Sequence, residues 1–295
     1  MASLLGRPLN LIDAPDKSML VIGADGVLGS KLVASLQERR EIVWSSTKSM
    51  AKAGGKSLYL NLSDVRVVAL PSGIATAVLC AGITSVERCR ADPVGTRVIN
   101  VGNTVALARQ LVDAGIFTIF LSTNMVFDGS KPFSKLTDAT CPTTEYGRQK
   151  VDAENALLEL GDLISVVRFS KIAFPQMPLL KNWAIDLIGN RTIHPFYDAV
   201  MAPLSVSFAL ETIYNIAARK FAGITQASAN QDISYEQAAM HLADKLHADP
   251  KLVEPMSYRE VGIAHMPSHT TLNVDRLRYL GLQSPSPLEA VTADG

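Results

Sequence analysis

A tyrosine and a lysine that could transfer a proton lie four residues apart, in the segment Tyr146-Gly147-Arg148-Gln149-Lys150. Residues four apart share one face of a helix. The Lys150 ammonium could therefore sit beside the Tyr146 phenol and favour its ionised form. A phenol tuned in this way can pass a proton to or from a substrate oxygen. By spacing alone, an exposed pair on a helix surface is an equal alternative.

A glycine-rich segment upstream could hold a phosphate group. Residues 17–22 predict a buried strand that leads into Gly23-Ala24-Asp25-Gly26-Val27-Leu28-Gly29, and helical periodicity continues over residues 28–39. In a dinucleotide site, Gly23 permits the turn, Gly26 leaves room for a pyrophosphate and Gly29 lets the helix pack closely. The amide groups at the helix N-terminus would then face the phosphates. A tight turn without a ligand is the alternative, because the spacing is not the G-x-G-x-x-G fingerprint.

The second predicted strand ends at four residues that bear on the choice of cofactor, Ser45-Ser46-Thr47-Lys48. A dinucleotide fold that prefers NAD carries an acidic residue at this point for the ribose 2′-hydroxyl. Hydroxyls and a lysine instead suit a 2′-phosphate. The sequence therefore favours NADP(H) over NAD(H), with an ordinary solvated loop as the alternative.

The composition predicts a large folded core and no strong charge bias. The chain has 295 residues, of which 47% are hydrophobic, enough for one large α/β domain with a smaller lobe. With 28 basic and 28 acidic residues the net charge is zero, which argues against nucleic acid or an anionic membrane as a partner. We find no apolar run long enough to span a membrane and no signal-peptide pattern, so we expect a cytoplasmic protein.

The cysteines and histidines do not indicate a metal site. Cys80, Cys89 and Cys141 lack the paired spacing of a zinc site or a disulfide framework. His265 and His269 are four apart, but Pro267 between them disfavours the helix that would aim both imidazoles at one metal. We therefore predict no bound metal.

The pattern of apolar segments predicts a Rossmann-type, doubly wound parallel sheet of the α/β class. Strands are predicted at residues 19–22, 42–44, 57–60, 76–79, 117–121 and 163–168. Their alternation with segments of helix length implies right-handed crossovers and helices on both faces. We assign residues 1–172 to this cofactor-binding domain and 173–295 to a smaller C-terminal substrate-binding lobe. Within that lobe, residues 205–221 and 235–247 predict helices, and residues 224–227 predict a returning strand.

Ligands of this fold bind beyond the carboxyl ends of the strands. Small residues there leave room for a flat ligand, and hydroxyls could hold a carbonyl oxygen. The Asn61 side chain could meet an adenine edge, although a helix cap is an equal alternative. The residues at these ends are Asn61 and Leu62 after the third strand, Cys80, Ala81, Gly82 and Thr84 after the fourth, Ser122, Thr123 and Asn124 after the fifth, and Ser170 and Lys171 after the sixth.

Together these segments resemble the extended short-chain dehydrogenases/reductases, and most closely the dTDP-4-dehydrorhamnose reductase group. The resemblance rests on the glycine segment, on Ala81-Gly82-Ile83-Thr84-Ser85-Val86-Glu87, on Asn100, on Ser122-Thr123-Asn124-Met125-Val126-Phe127-Asp128-Gly129, and on the tyrosine–lysine segment. The cofactor-binding residues that it implies are Gly23, Asp25, Gly26, Val27, Leu28, Gly29, Ser45, Ser46, Thr47, Lys48, Asn61, Leu62, Cys80, Ala81, Gly82, Thr84, Asn100, Ser122, Tyr146 and Lys150.

The resemblance also implies roles for individual residues. Thr123 polarises the substrate carbonyl, with Ser122 as a supporting neighbour, and Tyr146 donates the proton. Lys150 lowers the tyrosine pKa and holds the nicotinamide ribose. The implied substrate contacts are Val86, Asn124, Met125, Val126, Phe127 and Arg168.

Two positions depart from the family pattern. Members of the family usually carry Asp-Tyr where this chain has Asn124-Met125, beside the substrate sugar, so we expect the substrate to differ in that region. A sugar-nucleotide dehydratase would need an Asp-Glu acid/base pair at the same place, which Asn124 and Met125 cannot supply. Asn61 also stands where relatives carry Asp.

The function implied by the resemblance is NADPH-dependent reduction of a nucleotide-linked 4-keto sugar. The expected partner is then a small nucleotide-sugar substrate, and a homodimer is consistent with the family. Two alternatives stay open. One is a nucleotide-sugar epimerase that uses its nicotinamide transiently, and the other is a non-catalytic, nucleotide-binding regulatory subunit.

Overall fold

The computed structural model describes residues 18–64, 68–174, 176–263 and 266–292. The strands in these ranges are β1 (Ser18–Ile22), β2 (Ile42–Thr47), β3 (Ser57–Tyr59), β4 (Thr76–Leu79), β5 (Phe117–Thr123), β6 (Ile164–Phe169), β7 (Ile172–Ala173), β8 (Val200–Met201), β9 (Leu204–Ser205), β10 (Gly223–Ala227) and β11 (Ile233–Ser234). The α-helices are α1 (Val27–Glu38), α2 (Val86–Ala91), α3 (Pro93–Arg97), α4 (Thr104–Asp113), α5 (Glu145–Leu158), α6 (Pro178–Ile188), α7 (Val206–Arg219), α8 (Tyr235–Lys245) and α9 (Pro287–Thr292). A π-helical segment, Val98–Asn103, joins α3 to α4.

Seven of the strands form one parallel sheet in the order β10-β6-β5-β4-β1-β2-β3. Every residue of β1, β4 and β6 is buried. Strands that are covered on both faces need such nearly continuous apolar runs, which is why they could be located in the sequence. The sheet confirms the predicted Rossmann-type α/β fold.

Helices cover both faces of the sheet. Helices α1 and α7 pack on one face, and α4 and α5 pack on the other. The side chains that bury these helices include Leu32, Leu36, Ile213 and Ile216 on the first face, and Leu107, Leu111, Ala153 and Leu157 on the second. The catalytic candidates Tyr146 and Lys150 therefore lie on a helix that is held firmly against the sheet.

The C-terminal part of the chain both extends the sheet and builds a separate cluster. Strand β10 is the predicted returning strand, and it pairs with β6 at the edge of the sheet. A third apolar cluster joins α6, α8 and α9 through residues such as Trp183, Leu242 and Val291. Because β10 and α7 pack with the first part of the chain, the division at residues 172 and 173 stays a prediction.

Two short pairs of strands join segments of the chain that follows β6. Strand β7 pairs in parallel with β9, and β8 pairs antiparallel with β11. No helix in the described ranges has the length and apolar character needed to cross a membrane. His265, which was considered above with His269 as a metal pair, lies outside the described residues.

Candidate functional site

Strand β5 ends in two neighbouring hydroxyls that point in different directions. Thr123 lines a cavity of about 500 Å³, and its Oγ1 accepts a hydrogen bond from the Met125 backbone N–H at 3.2 Å. Ser122 instead donates a hydrogen bond to the buried Glu154 carboxylate. This difference follows from the alternation of side chains along a strand. Of these two hydroxyls, Thr123 is the one that a molecule in the cavity can reach.

Helix α5 begins beside the segment that follows β5. Its N-cap is Thr144, whose side chain accepts a hydrogen bond from the Gly147 N–H at 3.0 Å. A Cβ atom at Gly147 would overlap the carbonyl oxygen of Met125. Because this position is glycine, the first turn of α5 can approach the residues after Thr123, and Tyr146 comes with it.

Lys150 is fixed by the strand that carries Thr123. Its Nζ donates a hydrogen bond to the backbone carbonyl of Leu121 at 2.8 Å. The same nitrogen lies 4.3 Å from the centroid of the Phe120 ring and 5.8 Å from that of the Tyr146 ring. The ammonium is therefore close to the phenol ring, as the spacing of four residues predicted.

Burial dominates the electrostatics of this pair. It raises the pKa of the Tyr146 phenol well above the ordinary value. It also lowers the pKa of Lys150 to about 8, although the Glu154 carboxylate opposes this shift. Burial therefore sets the direction of the Tyr146 pKa in this structure, and the lowering of that pKa by Lys150 stays a prediction. Tyr146 consequently keeps its proton at neutral pH, as a proton donor must.

The cavity beside Thr123 is enclosed by residues from both halves of the chain. Four of the predicted substrate residues line it, namely Val86, Asn124, Met125 and Phe127. Val126 does not, since it is fully buried in a small apolar cluster with Phe127 and Leu272. Ser170 and Lys171, which follow β6, also line the cavity, and the part of the wall that sequence reasoning missed is formed by Ser134, Val200, Met201, Tyr235, Met266, Pro267, His269, Thr270, Thr271 and Leu272.

Asp232 holds part of this missed wall in place. Its carboxylate accepts hydrogen bonds from the Thr270 N–H at 2.8 Å, the Thr270 hydroxyl at 2.8 Å and the Thr271 hydroxyl at 3.0 Å. His269 Nδ1 lies 3.3 Å from the same group. Nothing in the spacing of these residues signals the contact, because 37 positions separate Asp232 from His269.

A cation–phenol pair lies elsewhere on the same wall. Lys171 Nζ donates a hydrogen bond to the Tyr235 hydroxyl at 3.0 Å and lies 4.9 Å from the centroid of its ring. Lys171 follows β6, where the sequence analysis looked for ligand-binding side chains, but Tyr235 begins α8. The wall therefore offers a positive charge and hydroxyl groups to a polar ligand.

Arg168, a predicted substrate contact, is placed in the protein interior. Its guanidinium, 4% exposed, pairs with the Glu154 carboxylate at 2.6 Å. Glu154 also accepts the Ser122 hydrogen bond, and Arg168 donates to Gln226 at 3.3 Å. With its donors directed at these partners, Arg168 positions β5, β6 and α5 relative to one another, and we do not retain it as a substrate contact.

The glycine turn has the close contacts that its sequence predicted. A Cβ atom at Gly23 would overlap the backbone of Ala81, and one at Gly29 would overlap the carbonyl of Gly23. At Gly26, by contrast, the nearest atom to such a Cβ would be the Gly23 carbonyl oxygen at 3.4 Å. The chain thus keeps one side of Gly26 open in front of the N-terminus of α1, a surface that fits the pyrophosphate of a nicotinamide dinucleotide.

Strand β2 ends directly against this turn. The Ser46 hydroxyl accepts a hydrogen bond from the Gly23 N–H at 2.9 Å. The Asp25 carboxylate accepts bonds from the Thr47 hydroxyl at 3.0 Å and from the Lys48 N–H at 2.8 Å. Ser45 forms the last residue pair between β2 and β1, level with Val21. Most of the segment predicted to contact the adenosine ribose is therefore joined to the glycine turn.

The remaining predicted cofactor residues lie after β3, after β4 and at the start of α1. Ala81, Gly82 and Thr84 follow β4 and, like Cys80, are at least partly accessible; desolvation raises the pKa of the Cys80 thiol to about 12. Asn61 accepts a hydrogen bond from the Ser63 N–H at 3.0 Å within a turn, and both its contact with a cofactor and the helix-cap alternative stay predictions. Val27 and Leu28 begin α1, and the carbonyl of Leu62 accepts a bond from Asn103.

Asn100 supports the loop after β4. Its side-chain amide accepts a hydrogen bond from the Ile83 N–H at 2.8 Å and donates to the Ile83 carbonyl at 2.9 Å. It also donates to Gln149 of α5 at 2.9 Å. Asn100, which is 3% exposed, therefore connects the loop that follows β4 to the helix that carries Tyr146.

The described ranges contain no group of three or more His, Cys, Asp or Glu residues that could hold a metal ion. The residues that are present suit an organic dinucleotide better. They combine an open glycine turn, a helix N-terminus and the Lys150 ammonium along one edge of the sheet.

Comparison with known proteins gives concordant results. The chain matches a family model described as the RmlD substrate binding domain over residues 17–293. It is 29% identical over 279 residues to a dTDP-4-keto-6-deoxy-D-glucose reductase of Streptomyces niveus, covering 89% of this chain and 91% of the relative. It is also 23% identical over 289 residues to methionine adenosyltransferase 2 subunit beta of Xenopus laevis, covering 94% and 86%.

A solved structure has the same fold. It is the dTDP-4-dehydrorhamnose reductase from Bacillus anthracis in complex with NADP, with a TM-score of 0.80 and 22% identity, covering 93% of this chain and 97% of that one. The resemblance inferred from the sequence motifs is confirmed. Since the family model spans almost the whole chain, the protein belongs to the RmlD substrate-binding domain family, within the extended short-chain dehydrogenases/reductases.

Proposed function

We propose that the protein reduces the keto group of a nucleotide-linked 4-keto sugar with a reduced nicotinamide dinucleotide, in the cytoplasm as the sequence predicts. The observation that carries this proposal is the close approach of α5 to the end of β5. Gly147 packs on the Met125 carbonyl, and Lys150 binds the Leu121 carbonyl. These contacts hold the first turns of α5, which carry Tyr146 and Lys150, against the end of β5, where Thr123 lines the cavity.

Each of these three side chains has a role in such a reduction. The Thr123 hydroxyl donates a hydrogen bond to the substrate carbonyl oxygen, which requires it to leave its 3.4 Å contact with Asn124 Oδ1. Tyr146 transfers its proton to that oxygen as negative charge develops there. The Lys150 ammonium then stabilises the phenolate. A reduced nicotinamide, when bound, supplies the hydride that the carbonyl carbon accepts.

The protonation states needed for this step are those that the environment favours. Burial keeps Tyr146 protonated at neutral pH, so it can donate rather than accept a proton. Lys150, with a pKa of about 8, is mostly charged at neutral pH. Its charge is then available when the phenolate forms, and the buried site strengthens the attraction between the two.

The cavity supports a polar, medium-sized substrate. Its volume of about 500 Å³ falls within the usual range for small-molecule sites. Lys171 and His269 could meet phosphate oxygens of a nucleotide sugar, and Tyr235 and Thr271 could meet sugar hydroxyls. Asn124 and Met125 line the same cavity, so the departure from the family pattern falls where it would change the choice of sugar.

The proposal is tested by turnover of purified protein with NADPH or NADH and a panel of 4-keto sugars linked to dTDP, UDP or GDP. We expect cofactor oxidation that matches the alcohol formed. Tyr146→Phe should abolish turnover and retain cofactor binding, whereas Tyr279→Phe, at a tyrosine 56% exposed on the surface, should have no effect. Cofactor that binds without reduction of any sugar, in both wild-type protein and controls, would count against a reductase.

The same assay separates reduction from epimerisation. An epimerase returns the hydride to its substrate, so it shows no net oxidation of the cofactor. Interconversion of two nucleotide sugars with a catalytic amount of NAD⁺, and no accumulation of oxidised cofactor from NADH or NADPH, would favour that alternative.

A second candidate function is a regulatory subunit that binds a dinucleotide. The observation in its favour is the similarity to proteins named as the beta subunit of methionine adenosyltransferase 2. The altered pair Asn124-Met125 adds to it. Stable co-purification with a larger enzyme, together with no turnover of any keto sugar, would favour this function; retention of Thr123, Tyr146 and Lys150 favours catalysis.

A further inference from the structure

The structure places a carboxylate at the end of β2, although β2 itself ends without an acidic residue. Asp25 comes from the middle of the glycine turn and reaches across to this strand. Its Oδ1 and Oδ2 lie 3.1 and 3.0 Å from the Thr47 hydroxyl, and Oδ2 also accepts the Lys48 N–H at 2.8 Å. The side chain is held by these contacts from two consecutive residues, while Asp25 itself is exposed to solvent.

These contacts change which hydrogen-bond donors the segment from Ser45 to Lys48 can offer to a cofactor. The Thr47 hydroxyl and the Lys48 N–H were two of the donors available to a 2′-phosphate. In the structure both are directed at an anion that belongs to the protein. A phosphate placed here would lose those donors and would meet the Asp25 charge at close range.

The charge on Asp25 persists at neutral pH. The hydrogen bond from the Lys48 N–H, together with that from Thr47 and the nearby Lys52 and Lys48 ammonium groups, holds the pKa of this carboxyl below its usual value. The two lysines are the cations that face Asp25, and they attract any further anion. Two effects therefore oppose each other when a 2′-phosphate approaches. The Asp25 carboxylate repels it at direct contact, and the Lys48 and Lys52 ammonium groups attract it from a longer range.

We infer that Asp25 is a cofactor-specificity residue, which accepts the ribose 2′-hydroxyl and excludes a 2′-phosphate, so that the protein prefers NADH to NADPH. The acidic group that usually follows the second strand of an NAD-binding fold is here supplied by the glycine turn. This inference rests on the proposed use of a nicotinamide dinucleotide. It reverses the preference predicted from the residues of β2 alone.

Calorimetric titration of the purified full-length protein with NADH and with NADPH tests this inference without any sugar substrate. We expect the wild-type protein to bind NADH more tightly. Asp25→Asn removes the charge and keeps one acceptor oxygen, and Asp25→Ser also removes the reach across to β2. Because a charged hydrogen bond is lost and a repulsion is relieved, either variant should shift the ratio of the two dissociation constants toward NADPH by about tenfold to a hundredfold.

Lys48→Ala is the matched control at the same site. If Asp25 sets the preference, removing the lysine leaves NADH as the tighter ligand. Tighter binding of NADPH by wild-type protein, or a ratio that neither Asp25 variant changes, would overturn the inference and leave the proposed function intact. Failure of both dinucleotides to bind would overturn the inference and the proposed function together.

Discussion

Two regions of this protein border the same cavity but are built in different ways. One is the catalytic edge, in which Thr123 at the end of β5 lines the cavity and Tyr146 and Lys150 lie on the first turns of α5. The other is the outer wall, formed by residues 266–272 together with Lys171 and Tyr235. The catalytic edge depends on short motifs next to regular elements, whereas the outer wall depends on contacts between residues remote in sequence. From this difference we infer that the catalytic edge determines the reaction and that the outer wall determines which substrate binds.

A buried polar network connects the two regions. Gln226 of β10 donates hydrogen bonds to the backbone carbonyls of Ser134 and Asn273, each at 2.9 Å. It also accepts a bond from Arg168, which pairs with Glu154 of α5. Through these groups the position of the catalytic helix is coupled to the loops that support the outer wall. Substitutions in the network should therefore affect both regions, whereas a substitution within one region should affect that region alone.

The largest expected effect is confined to the catalytic edge. Thr123→Val keeps the shape of the side chain and removes its hydroxyl, which should lower kcat by about 10²–10³-fold because a donor to the developing oxyanion is lost. Cofactor affinity should be unchanged. Steady-state kinetics with the best sugar of the panel measures this effect, with Ser207→Ala, at an exposed hydroxyl on α7, as the control. A kcat within twofold of wild type would show that Thr123 does not contact the reacting oxygen.

A large effect on folding is expected from the connecting network. Arg168→Met leaves the Glu154 carboxylate buried without its partner, which should reduce the free energy of unfolding by about 3–5 kcal/mol. Urea denaturation of the purified variant measures the loss. The double variant Arg168→Met/Glu154→Leu removes both charges and should recover most of the stability. If the single variant is as stable as wild type, the network does not hold the two regions together.

A moderate effect on substrate binding is expected from the outer wall. Asp232→Ala removes the acceptor that fixes Thr270, Thr271 and His269. The looser wall should raise KM for the sugar by about tenfold, a loss of about 1.4 kcal/mol, and change kcat little. Asp162→Ala, at an exposed turn before β6, is the control. A fall in kcat at constant KM would place Asp232 in the catalytic machinery instead.

The smallest effect concerns pH and the single charge of Lys150. Its pKa of about 8 lies below its ordinary value of 10.5, so the unfolded chain binds the proton more strongly than the native protein does. Stability contributed by Lys150 should therefore rise between pH 8 and 9.5, with a slope of at most about 1.4 kcal/mol per pH unit. Over the same range kcat should fall as the ammonium is lost.

Thermal unfolding of wild type and of Lys150→Met over this range checks the sign. The stability of the wild type relative to the methionine variant should rise with pH over this range. A difference that is independent of pH would mean that the Lys150 pKa is not lowered in the folded protein.

The sequence was sufficient where local pattern determines structure. Strand β4 has the predicted bounds, and β2 runs only three residues further, to Thr47, because apolar runs between turns identify buried strands. The glycine turn and the helix with Tyr146 and Lys150 were also predicted correctly as elements. Their roles in cofactor binding and catalysis remain predictions.

The sequence was insufficient where the structure depends on contacts between residues far apart in the chain or on the burial of a side chain. The spacing of Ser122 and Thr123 indicates that they face opposite sides of the strand, and only the resemblance to the family singled out Thr123, which lines the cavity. The sequence missed Asp232 and, apart from Lys171, the outer wall, since those contacts join loops that only the tertiary fold brings together. It also could not show that burial raises the pKa of Tyr146, because the desolvation of a side chain cannot be seen in its spacing from a lysine.

The central claim, that this protein is a reductase whose hydride reaches the sugar, is tested most directly by isotope transfer. The protein would be incubated for a single turnover with cofactor deuterated at the transferable C4 position and with the 4-keto sugar that it binds best. We predict an alcohol product that carries deuterium at carbon 4, in an amount equal to the oxidised cofactor, and none with Tyr146→Phe. Binding of both ligands without any transfer of deuterium would contradict the account.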